Sequence, residues 1–149
     1  MGPMANRFVV QRHDASSLHF DIRLEIDGVL VSWAVPKGPS TDPAQRRLAR
    51  RVDDHALDHI AVEGRLGSGT VIVWDTGTYE QRTEGTAADA LENGHLTVVL
   101  HGHKLRGGYA FIRTGGDDWL LIKTRDDDAD PATPDDRSVL TGRTNDDYV

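Results

Sequence analysis

Eight residues constrain the fold more than any others: His19-Phe20-Asp21-Ile22-Arg23-Leu24-Glu25-Ile26 alternates polar and apolar side chains without a break. A strand sends successive side chains to opposite faces, so this period of two sorts the segment into one polar and one apolar face. A helix would scatter the same four apolar groups around its circumference. Asp27-Gly28 follows, a pair suited to a two-residue turn in which both residues need positive φ. Val29 to Val35 then returns as a largely apolar run, so the segment predicts a hairpin. Its Phe20, Ile22, Leu24 and Ile26 face must be covered, because a lone two-stranded ribbon is marginal in water.

The rest of the chain offers that cover. Short strand-like runs occupy 7–11, 70–75, 78–82, 95–101, 108–113 and 119–124, with turns at Thr76-Gly77 and through Gly115-Gly116-Asp117-Asp118. Pro36-Lys37-Gly38-Pro39 breaks the sheet after the hairpin. Thr41-Asp42-Pro43 reads as the cap of a helical turn, 47–53 as a strand, and 86–93 as a short helix with Gly94 just past its end. Trp33, Trp74 and Trp119 sit in apolar runs and read as core. This spacing predicts an all-β (mainly β) fold, a compact β-barrel with one or two short helices. The barrel domain is expected over 7–125, followed by a flexible acidic tail over 126–149 that has few apolar anchors.

A chain of 149 residues suits one such domain. Cysteine is absent, so neither disulfides nor thiolate ligands are available, and any metal must be held by nitrogen and oxygen. The net charge of −7 argues against a nucleic-acid partner only until it is divided along the chain. Residues 124–149 hold three Arg against eight Asp, which leaves −2 for the 123 residues before them. Among those, Lys37, Arg46, Arg47, Arg50 and Arg51 form a basic cluster. No apolar stretch reaches the length of a membrane span, and Met1-Gly2 is followed by Asn6 where myristoylation wants Ser or Thr. A cytoplasmic protein is expected.

On the polar face of the hairpin stand His19, Asp21, Arg23 and Glu25, about 7 Å between neighbours by the strand rise. His13 lies six residues upstream, across Asp14-Ala15-Ser16-Ser17, within reach of the same face. Two imidazoles and a carboxylate make a facial set with positions left for water or substrate, and a guanidinium beside it suits a phosphate oxygen. A bare H-x-D recurs by accident in many proteins; His13 and Arg23 give this one its weight. Other polar residues carry less. His55 shares strand parity with Arg47, Arg51 and Asp53, His59 lies in an apolar context, and Lys37 sits in a rigid Pro-flanked loop. His95, His101 and His103 cluster on or beside one strand but have no carboxylate at short spacing.

Phe8-Val9-Val10-Gln11-Arg12-His13-Asp14-Ala15 and Leu18-His19-Phe20-Asp21-Ile22-Arg23-Leu24-Glu25 together resemble the 3'-phosphoesterase domain of bacterial DNA ligase D. Ser32-Trp33-Ala34-Val35-Pro36-Lys37-Gly38-Pro39-Ser40, Asp53-Asp54-His55, Gly69-Thr70-Val71-Ile72-Val73-Trp74-Asp75 and Trp119-Leu120-Leu121-Ile122-Lys123 extend the likeness over residues 7 to about 125. The resemblance implies a manganese-dependent hydrolase, with zinc or cobalt as alternative ions. The implied activity removes a 3'-terminal ribonucleotide or a 3'-phosphate from primer-template ends during double-strand break repair by non-homologous end joining. It implies DNA or RNA-containing DNA 3' ends as partners, alongside an end-joining ligase, polymerase or Ku proteins, in the nucleoid. His13, His19 and Asp21 match the family's metal ligands. Arg23 and His55 match its phosphate-contacting catalytic residues, while Gln11, Lys37 and Arg47 match accessory positions. His59 stands where the family usually has Tyr and inherits that catalytic position. The loop Arg65-Leu66-Gly67-Ser68-Gly69 is shorter than the family's, and little precedes Phe8. No ligase K-x-D-G motif is present, so the chain reads as a stand-alone module.

Two other readings compete at this level. A non-haem iron oxygenase also uses H-x-D with a distal His, here His95 or His101. A catalytically weak DNA-end-binding module would keep the pocket without turnover.

Overall fold

Nine strands, one short helix and two 3-10 turns make up the computed structural model, which describes residues 6–149. The Met1-Gly2 start lies outside the described residues. The predicted hairpin is β2 (Leu18–Ile26) and β3 (Val29–Val35), joined through Asp27 and Gly28 at φ 51° and 83°. Two successive positive φ values define the turn whose twist matches that of paired strands. It puts Arg23 opposite Ser32 and Asp21 opposite Ala34.

β1 (Arg7–Asp14) pairs antiparallel with β2, and β4 (Arg47–His55) with β3. Beyond β4 come β9 (Asp118–Lys123), β8 (Arg106–Gly115), β7 (His95–His101) and β6 (Gly69–Gln81), each antiparallel to its neighbour. β6 pairs back onto β1 and closes an eight-stranded barrel. A ninth strand, β5 (Gly64–Leu66), adds to the edge of β6. Closure removes the exposed edges that an open sheet of this size would present.

The interior is filled by the apolar face read from the sequence. Phe20, Ile22, Leu24 and Ile26 join Phe8, Val10, Leu96, Leu100, Tyr109 and Phe111 in one cluster. Trp33 is fully buried, its ring 4.6 Å from Phe111 and 5.5 Å from Trp119, and Trp74 meets Phe20 edge-on at 5.3 Å. Burying side chains of this size stabilises by roughly 1.5–3 kcal/mol each.

Three local expectations are corrected. Runs 70–75 and 78–82 are a single strand, because Gly77 leaves room for the His101 backbone where β6 passes from β1 to β7. The helix is shorter than expected, α1 (Ala87–Glu92), with Thr86 Oγ1 accepting from Asp89 N and Gly94 past its end at φ 77°. Thr41-Asp42-Pro43 forms a tight turn, Gln45 N to Asp42 O, without a helix.

Residues 126–149, expected as a flexible acidic tail, make specific contacts along the barrel. Val139 N donates to Val73 O, and Trp74 Nε1 donates to Asp135 O at 2.8 Å. Asn145 is buried, its amide bonded to Arg12 O and to Thr70, at the start of a 3-10 turn Asn145–Tyr148. Glu63 accepts from Ser138, Thr141 and Tyr148. These anchors are single polar side chains, invisible to a reading based on apolar periodicity.

Candidate metal centre and phosphate pocket

With the apolar face of β2 committed to the barrel interior, pleating turns His19, Asp21 and Arg23 outward. Register then assembles their neighbours. His13 stands opposite His19 and Gln11 opposite Asp21 on β1, while Ser32 stands opposite Arg23 on β3. An open pocket of about 260 Å³ forms over this face. The 3-10 turn Leu57–Ala61 brings His59 to one side of it and β5 brings Leu66 to another.

Asp21 is the hub. Its Oδ2 lies 3.2 Å from His19 Nε2, 3.8 Å from His13 Nδ1 and 3.5 Å from Arg23 Nη2. One donor atom from each of His13, His19 and Asp21 falls within 4.8 Å of the others, the one such cluster among the described residues. Donors about 2.0–2.2 Å from a common ion sit about 3–4 Å apart, so small rotamer shifts let this set hold a divalent cation. Burial and the charge of nearby His19 lower the His13 pKa, which favours the neutral, ligand-competent ring. The hydrogen bond to Asp21 raises the His19 pKa, against the opposing effect of burial.

Arg23 is only 4% exposed. Its Nε donates to Gln11 Oε1 at 2.8 Å, and Nη1 donates to Ser32 Oγ at 2.9 Å and to His55 Nδ1 at 3.0 Å. Burial lowers its pKa while Asp21 opposes the shift, and a guanidinium starts high enough to stay charged. The bonds hold the group rigidly and leave Nη2 beside the metal set. A guanidinium has no acceptor, so its contact makes His55 Nδ1 the acceptor and puts the neutral ring's proton on Nε2. Nδ1 also lies 3.0 Å from the Asp53 carbonyl, a contact that only the other tautomer satisfies.

His55 reaches this face through an irregularity. Ser32 pairs with Val52 but Leu30 pairs with His55, so β4 carries one extra residue between the two pairs. Such a bulge reverses side-chain parity. It separates His55 from Arg47, Arg51 and Asp53, with which strict alternation had grouped it. His59 stacks beside it, ring centroids 4.8 Å apart, half-buried in the same pocket.

Gln11 is fully buried, and its Nε2 donates to His59 O and Val62 O. Every polar atom of its amide is thus engaged, and the residue ties Arg23 to the turn that carries His59. Lys37 and Arg47 are not brought into the pocket with the triad. They line a neighbouring cleft with Phe20 and Asp136, where Arg47 bonds Gln45. His95 and His101 are exposed at opposite ends of β7, His101 paired with Glu80 at 2.7 Å. The donor set is completed by His13 instead. Ser32 went unnoticed in the sequence, although counting back from the Asp27-Gly28 turn places it opposite Arg23.

Fold and site together define a small β-barrel domain with one outward, metal-competent pocket. Residues 11–113 match the family described as the DNA Ligase D 3'-phosphoesterase domain. The multifunctional non-homologous end joining protein LigD of Pseudomonas aeruginosa is 48% identical over 132 residues, 83% of this chain and 16% of the relative. The corresponding DNA repair protein of Mycobacterium tuberculosis is 47% identical over 125 residues, covering 80% and 16%. That of Mycolicibacterium smegmatis is 40% identical over 131 residues, covering 81% and 17%. The chain belongs to the DNA ligase D 3'-phosphoesterase domain family. It spans about 16% of the length of the first two of these relatives.

Proposed function

We propose that the chain is a divalent-metal-dependent phosphoesterase that heals DNA 3' ends, working with manganese in preference to zinc or cobalt. Its substrates are primer-template ends bearing a 3'-terminal ribonucleotide or a 3'-phosphate, and its context is double-strand break repair by non-homologous end joining. Its relatives are named for non-homologous end joining, which supports that context. Ligase, polymerase and Ku proteins acting on the same ends are its expected partners in the nucleoid. The observation that carries the proposal is the fixed guanidinium of Arg23 beside the His13, His19 and Asp21 donors in one open pocket.

A divalent cation held by His13, His19 and Asp21 would supply positive charge to polarise a phosphate oxygen and lower the pKa of a bound water. Arg23 Nη2 donates to a non-bridging phosphate oxygen, stabilising the charge that develops as water attacks phosphorus. Gln11 and Ser32 are positioning residues that keep the guanidinium plane fixed. His55, with Nδ1 accepting from Arg23, offers its Nε2–H as a neutral hydrogen-bond donor to the phosphate, and the departing sugar oxygen leaves as a hydroxyl with the proton given up by the attacking water. His59 adds a second donor beside it.

A 5'-labelled primer on a template, ending in a 3'-phosphate or a 3'-ribonucleotide, tests this reading directly. With manganese the primer converts to a 3'-hydroxyl product, and chelator stops the conversion. Absence of product with manganese, zinc and cobalt alike would overturn it.

A further inference from the structure

The pocket is not equally enclosed on all sides. His55 and His59 bound one end, and Leu66 with Val71 bound the β5–β6 side. Toward β3 and β4 the pocket is lined by Ala34, a single methyl group directly across from Asp21, and by Val52, paired with Ser32. The next residue in the same cross-strand row is Arg50, paired with Ala34 on β4. Directly paired residues share a sheet face, so Gln11, Asp21, Ala34 and Arg50 form one outward row. Two interstrand steps put the Arg50 backbone about 10 Å from that of Asp21.

Arg50 alone among the arginines of β4 has this placement. Arg51 pairs with Trp33 and its guanidinium lies 5.6 Å over that core ring. Arg47 pairs with core Leu121 and bonds Gln45. The Arg50 side chain is 67% exposed, and its nearest acid, Asp118, stands at 4.0 Å. An exposed pair at that distance binds its partners weakly and yields readily to a phosphate. In a chain of net charge −7, a cation at the open side of the pocket is where a polyanion meets least repulsion.

We infer that Arg50 binds the phosphate backbone of the nucleic-acid strand whose 3' end enters the pocket, one or two nucleotides back from the terminus. The inference rests on the phosphoester reading above and extends it from the reacting phosphate to the strand that carries it. Arg50 thereby sets the direction in which the strand leaves the site, across Ala34 and over β4.

Binding is measured by fluorescence anisotropy on a primer-template that ends in a 3'-hydroxyl, which undergoes no turnover, across a salt series. One lost phosphate contact makes the slope of log affinity against log salt shallower by about 0.9. The deficit of Arg50→Ala relative to wild type therefore narrows by about threefold from about 50 to about 200 mM salt. Arg50→Lys keeps the wild-type slope. So does Arg82→Ala, which removes an exposed cation paired with Glu80 and outside the pocket. A wild-type slope in Arg50→Ala, or an equal loss in Arg82→Ala, overturns the assignment and leaves the phosphoester reading intact. Failure of the wild-type protein to bind the duplex at any salt overturns both.

Discussion

Arg23 and His59 share a pocket but are held in different ways. Arg23 has buried partners on Nε and Nη1, so its position is part of the fold. His59 is fixed through its backbone, which receives Gln11, while its ring is free to change charge. Burial lowers its pKa, and the positive charges of Arg23 and His55 lower it further. Sequence alone spreads its influence across the ordinary histidine range, about pH 6 to 8. The structure moves that influence to the acid side, since the charged ring is disfavoured until below its ordinary value of 6.5. The turnover ratio of wild type to His59→Tyr on 3'-phosphate ends is therefore expected to rise as pH falls below about 6.5 and to stay flat above about 7. His55 is present in both proteins and cancels in the ratio. Superimposable profiles would mean that His59 packs beside Leu57 and Ile60 without touching substrate.

At the scale of elements, the sequence was most legible where side-chain period and turn chemistry agree. The β2–β3 hairpin, its Asp27-Gly28 turn and the core face of β2 follow from alternation alone, and so does the outward row from His19 to Arg23. Legibility ended where pairing departs from that rhythm. The bulge between β3 and β4 moves His55 to the site face, and nothing in the residues 47–55 announces it. The C-terminal segment was unreadable for a different reason. Burial would raise the Glu63 pKa, but hydrogen bonds from Ser138, Thr141, Val73 N and Tyr148 outweigh it and leave the carboxyl below its ordinary value. A depressed folded pKa gives stability that is complete above the ordinary value of 4.5 and is lost as pH falls through the folded one. Glu63→Gln at neutral pH should weaken the docking of residues 138–148 by about 1.5–3 kcal/mol, the usual scale for hydrogen bonds to a charged group. Hydrogen exchange at Val139 reports it, because that amide bonds Val73 O only while the segment is docked. Unchanged exchange in the variant, together with unchanged exchange on acidification below about 4.5, would show that Glu63 is not the anchor.

Across the whole molecule, closure of the barrel connects these scales. Joining β6 to β1 keeps β1 between two partners, which holds His13 opposite His19 although a turn separates them in sequence. A lone hairpin would carry Asp21 and Arg23 but no complete donor set. The central claim is that His13, His19 and Asp21 form one cation site and that Arg23, equally close to Asp21, serves the substrate instead. Manganese binding measured by titration calorimetry and by metal content separates these roles in wild type, Asp21→Ala and Arg23→Lys. A lysine keeps the charge but loses the guanidinium fork, so Arg23→Lys should hold one equivalent of manganese while losing most turnover. Asp21→Ala should hold none and show no turnover. One equivalent of manganese retained by Asp21→Ala, or lost from a folded Arg23→Lys, would contradict the account.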